Sequence, residues 1–71
     1  MEITADILLA RGFEQKQGDG GVYYVKGKVG VVHNSQWLPC NVDSGKPLST
    51  GLYINTMEEL AELAKEANVF I

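Results

Sequence analysis

His33 and Cys40 are the only histidine and the only cysteine in the chain. A thiol beside an imidazole is the simplest nucleophile–base pair a sequence can offer. Their spacing argues against it. A hairpin through Asn34-Ser35 puts His33 opposite Gln36, four residues along the strand from Cys40, about 13 Å at strand rise. No loop between them offers an oxyanion site, so Cys40 reads as a small buried hydrophobe. The segment Gly45-Lys46-Pro47-Leu48-Ser49-Thr50-Gly51 has the letters of a phosphate loop in the wrong order. A phosphate loop needs Gly-Lys-Ser/Thr opening a helix, and here proline follows the lysine. Gly18-Asp19-Gly20-Gly21 holds one carboxylate, far too few oxygens for calcium, and reads as a turn. Glu58, Glu59, Glu62 and Glu66 share a helix face, where carboxylates ordinarily serve solvation. No catalytic residue, metal ligand or cofactor site is expected.

Aromatics on a sheet can stack nucleobases. Tyr23, Tyr24 and Trp37 are the candidates, with Lys26 and Lys28 near them for phosphates. Six basic residues against nine acidic ones, a net charge of −3, disfavour a surface that tracks phosphates. Single-stranded nucleic-acid binding is the alternative reading, not the leading one.

The elements that must position these residues follow from local signals. The 71 residues suffice for one domain, 1–71. One cysteine allows no internal disulfide, which suits a reducing compartment. No apolar run reaches the ~20 residues that span a bilayer. The start, Met1-Glu2-Ile3-Thr4, lacks a signal-peptide pattern, so a cytoplasmic protein without membrane partners is expected. Thr4 reads as the N-cap of a first helix, with Ile3 and Leu8 as a hydrophobic staple. Gly12 and Phe13 read as its Schellman ending.

Strands are expected over Phe13–Gln17, Val22–Lys26, Val29–His33 and Gln36–Cys40, with a short fifth at Leu52-Tyr53-Ile54. Thr56-Met57-Glu58-Glu59 is a capping box opening a second helix. Met57, Leu60, Ala61, Leu63, Ala64 and Ala67 form its apolar stripe. Asn68 reads as its C-cap, and Val69-Phe70-Ile71 as an apolar tail. The expected class is α+β: an antiparallel meander of 4–5 strands with an N-terminal and a C-terminal helix packed on one face, in the order α-β-β-β-β-β-α.

Two-residue turns at Gly27-Lys28 and Asn34-Ser35 set the register. Tyr24 then faces Val31 and Leu38, while Tyr23 faces Val32 and Trp37. A turn at Gly18–Gly21 puts Gln15 opposite Tyr24 and Lys16 opposite Tyr23. One sheet face carries Phe13, Val22, Tyr24, Val29, Val31, Leu38 and Cys40, and is assigned to the helices. The other carries Tyr23, Val25, Val32 and Trp37 in its middle. Two short helices cannot cover both. An exposed apolar cluster anchored by Trp and Tyr marks a docking surface, so Tyr23, Val25, Val32 and Trp37 are the candidate residues for a protein partner or a second copy. The competing reading makes them core, through one helix on each face or a one-residue slip in register.

Leu8-Leu9-Ala10-Arg11-Gly12-Phe13, Tyr23-Tyr24-Val25, Trp37 and Ile54-Asn55-Thr56-Met57-Glu58-Glu59-Leu60 together resemble a class of small, uncharacterised bacterial proteins of mobile elements and prophages. The resemblance spans most of the chain and implies an accessory protein acting through contacts. It carries no activity and no site residues.

Overall fold

The computed structural model describes residues 2–18, 21–48 and 53–71. Asp19, Gly20 and Leu52, which belong to the expected first turn and fifth strand, lie outside the described residues, as do Ser49–Gly51 of the phosphate-loop letters. The helix α1 spans Ala5–Ala10; the strands are β1 (Glu14–Gly18), β2 (Gly21–Lys26), β3 (Val29–Asn34) and β4 (Gln36–Pro39); the helix α2 spans Met57–Glu66. The strands form one antiparallel sheet in the order β1-β2-β3-β4. Both helices contribute to one cluster with Tyr24, Val29 and Val31, so the domain is α+β with its helices on a single sheet face. The radius of gyration is 10.6 Å, against about 11 Å for a compact chain of this length.

The helix ends are local chemistry. Thr4 Oγ1 accepts the Ile7 N–H at 3.2 Å, and Thr56 Oγ1 accepts the Glu59 N–H at 3.2 Å. At the end of α1 the Phe13 N–H donates to Leu8 O and the Gly12 N–H to Leu9 O, the paired bonds of a Schellman ending. Gly12 there has φ +92°. Lys26 Nζ donates to Arg11 O at 2.6 Å, placing a cation at the negative end of α1. The end of α2 repeats the pattern one residue earlier than expected: Ala67 is the C-cap and Asn68 follows at φ 59°. Its bonds run from Val69 N–H to Ala64 O and from Asn68 N–H to Lys65 O. The stripe buries Met57, Leu60 and Ala64, half-buries Leu63 and Ala67, and leaves Ala61 exposed. Val69 and Ile71 join the cluster from the tail, while Phe70 points away, 93% exposed.

The first two hairpins have the expected registers: Gln15 faces Tyr24, Lys16 faces Tyr23, Tyr23 faces Val32 and Tyr24 faces Val31. The third does not. Asn34 pairs with Gln36, so Ser35 alone makes the connection, at φ 63°. The slip places Val31 opposite Pro39, Val32 opposite Leu38 and His33 opposite Trp37. One residue of slip exchanges the faces of a whole strand. Trp37 moves to the helix face, and Leu38 and Cys40 move to the other. The fifth strand is also corrected: among the described residues Ile54 makes a single bridge to Trp37, its N–H donating to Trp37 O at 2.8 Å.

Candidate functional site

Three of the four expected docking residues are brought together, but buried, and the fourth, Trp37, lies apart from them. Tyr23, Val25 and Val32 share the second sheet face and are 3%, 7% and 2% exposed, in a cluster with Cys40, Leu38 and Val42. Trp37 lies half-buried on the other face. The open apolar sheet face is therefore corrected. The chain covers it with its own loop between β4 and residue 48.

That loop is built from short-range bonds. Asn41 Oδ1 accepts the Asp43 and Ser44 N–H groups at 2.8 and 3.2 Å, an Asx-type turn. Gly45 N–H donates to Asn41 O and Asn41 N–H to Lys46 O. Gly45, at φ +77°, is buried against the Tyr23 ring, and Tyr23 OH donates to Val42 O at 3.3 Å. Leu48 N–H donates to Pro39 O. A glycine was needed there because any Cβ would enter the ring. The sequence signal was present in Asn41-Val42-Asp43-Ser44-Gly45, but it specifies a turn and not what the turn rests on.

Trp37 anchors the surface that remains. Its Nε1 donates to Ile3 O at 3.1 Å. Its ring is tilted against Tyr24, centroids 5.8 Å apart, and meets His33 edge-on at 4.9 Å. Gln17 pairs with Val22 and His33 with Trp37 at one end of the sheet, and the helix face stays open there. Ile3, Ala5, Val22, Tyr24, His33 and Trp37 line a groove of about 420 Å³. Its lining is polar and apolar in nearly equal parts, with one exposed imidazole at its rim. Of the expected docking residues, Trp37 alone reaches it. The expected register misses His33 because it puts that residue opposite Gln36, away from the tryptophan, whereas it already assigns Val22 to the helix face, as core beneath the helices.

His33 and Cys40 lie on opposite faces of the sheet, so no bond can join them. Cys40 is 4% exposed, and burial pushes its thiol from 9.0 up to about 11. The thiol is expected to ignore Ellman's reagent at pH 8 until the chain is unfolded; fast native labelling would show that the loop opens. Above pH 9 the unfolded thiol ionises while the folded one keeps its proton. Stability is therefore expected to fall as pH rises from about 9 towards 11, a loss that Cys40→Ala removes.

At the start of α2, the Glu58 carboxylate is held below its usual range by its own backbone N–H. Glu59, Glu62 and Glu66 flank a second, smaller depression with Pro39, Tyr53 and Leu63. Among the described residues no group of three or more His, Cys, Asp or Glu could hold a metal ion, and no helix is long and apolar enough to cross a membrane. Compared with known proteins, the chain matches no family model, no curated protein and no solved structure.

Proposed function

We propose that this chain is a non-enzymatic interaction module that docks a protein partner, or a second copy of itself, through the groove around Trp37. The observation that carries this reading is the unclosed end of the helix face. The half-buried Trp37 ring, an exposed imidazole and the half-buried Val22 side chain there meet solvent, while the opposite face is sealed by the chain itself. Trp and Tyr are frequent anchors of protein interfaces because they bury much area at small entropic cost. The resemblance to mobile-element proteins adds the role: an accessory protein that works through contacts.

Single-stranded nucleic acid has less support. Tyr23 and Tyr24 are 3% and 9% exposed, which leaves little ring surface for stacking a base.

The test is a panned peptide library. Wild-type protein is expected to enrich apolar or aromatic peptides that shift Trp37 emission. Val22→Glu places a charge in the groove at a half-buried site. It is expected to weaken those peptides at least tenfold while the melting curve stays near wild type. Peptides that bind Val22→Glu equally well would remove the groove from the interaction.

A further inference from the structure

The two edges of the sheet are treated differently. Outside β4 the chain adds its own bonds: Ile54 N–H to Trp37 O and Leu48 N–H to Pro39 O. Outside β1 the described residues add no strand. The residues of β1 from Glu14 to Gln17 are exposed.

The ladder determines which β1 groups are unpaired. Cys40 N–H donates to Gly30 O at 2.8 Å, so Gly30 bonds towards β4, and its neighbours Val29 and Val31 bond towards β2. Antiparallel strands alternate between hydrogen-bonded and open pairs. Tyr24, opposite Val31, therefore bonds to β3. Tyr23 and Val25 bond to β1, at Lys16 and Glu14. Gln15 and Gln17 are left with their N–H and C=O groups directed outward.

A row of free donors and acceptors is a template for another strand. Natural edges are often closed by a lysine, and Lys16 would do so against an apolar or basic strand. It has an acid two residues away on the same face, and this makes the edge complementary to itself. Two copies that extend the sheet across a two-fold axis keep each face continuous, so residues of like parity must meet. Three central registers are then available. Centring on Glu14 sets Glu14 against the partner's Glu14. Centring on Lys16 sets Lys16 against the partner's Lys16. Centring on Gln15 sets Glu14 against the partner's Lys16 and Lys16 against the partner's Glu14. In that last register the outward groups of Gln15 meet those of the partner's Gln15 as a hydrogen-bonded pair.

We propose that the β1 edge is a self-docking surface, on which β1 of a second copy pairs antiparallel with Gln15 at the two-fold axis, giving one eight-stranded sheet. This surface is separate from the groove around Trp37, and its occupant is the chain itself.

The experiment is the solution mass of the whole chain across about 1 µM to 1 mM, at low salt. Wild type is expected to rise from 7.8 kDa to twice that value. Lys16→Glu and Glu14→Lys each turn two attractive pairs into repulsive ones, and each is expected to raise the dimer dissociation constant about tenfold. The double variant Glu14→Lys/Lys16→Glu restores both pairs and is expected to recover the wild-type constant. Gln15→Pro removes an outward N–H and no internal bond; it is expected to abolish the dimer and keep the fold. Val22→Glu is expected to leave the dimer intact, so the edge and the groove fail separately. A chain that stays monomeric at 1 mM, or a dimer that the single variants do not weaken or the double variant does not rescue, would overturn the proposal.

Discussion

Leu60→Ala is expected to lower the unfolding free energy by about 2–5 kcal/mol. Leu60 is one of the three largest fully buried side chains, with Leu8 and Val31. It joins α2 to the sheet through the cluster that also holds Tyr24, Met57 and Ala64. A domain below about 70–80 residues rarely has more than about 3–5 kcal/mol in hand. The variant is therefore expected to be largely unfolded at 25 °C, seen as lost helical ellipticity and a red-shifted Trp37 emission. Leu63→Ala removes the same atoms from a half-buried site on the same helix and is expected to cost well under half as much. The pair of variants reads out the rotation of α2 about its axis. Equal losses would mean that the stripe faces the sheet differently, and a wild-type melt for Leu60→Ala would mean that it does not face the sheet at all.

The parts of this fold that could be read from the sequence are those settled within a few residues. Thr4 and Thr56 act as N-caps because a hydroxyl three residues before an orphan N–H reaches it in any context. Gly12 ends α1 because a left-handed residue is cheapest as glycine. The Gly27-Lys28 turn, with Gly27 at φ 60°, sets the central hairpin and the pairing of Tyr23 with Val32. Ser35 broke this logic. Asn34-Ser35 looks like a two-residue turn, and asparagine is the residue that tolerates positive φ. The chain instead gives the left-handed position to Ser35 and pairs Asn34 with Gln36. The bonds from Trp37 Nε1 to Ile3 O and from Ile54 N–H to Trp37 O both require Trp37 on the helix face. These contacts are distant in sequence and outweigh a local turn preference.

The candidate site inherited that error. Counting greasy residues on the second face was sound, since Tyr23, Val25 and Val32 do form a cluster there. What could not be counted was the cover. Asn41 to Leu48 contains one valine, one leucine and one proline among polar and glycine residues, and nothing in that composition announces a lid over a sheet. The cover works by shape: Val42 supplies a side chain and a carbonyl to Tyr23, and Gly45 supplies the absence of one. The sheet is therefore two-sided, with helices on one face and an ordered loop on the other.

Gly45→Ala tests this second layer. At φ +77° an alanine carries about 1–2 kcal/mol of backbone strain. Its Cβ would also fall 2.7 Å from Tyr23 Cε1 and closer still to Cδ1, and overpacking of that kind costs about 1–3 kcal/mol. The aromatic ring cannot swing aside, because Val25, Val32 and Cys40 surround it on the buried face. The loop must lift instead. Lifting relieves part of the strain and crowding, so the expected result is a loss of about 1–3 kcal/mol, with Cys40 labelled by Ellman's reagent in the native buffer. In contrast to Leu60→Ala, the helices rest on the opposite face, so the helical ellipticity that survives below the melt is expected to stay near wild type. Gly21→Ala separates the two contributions. Gly21 has φ +107° and nothing within 4 Å of an added Cβ, so it carries strain without crowding and is expected to leave Cys40 protected. If Gly45→Ala melted like Gly21→Ala and kept its thiol hidden, the loop would not be what seals the Tyr23 face.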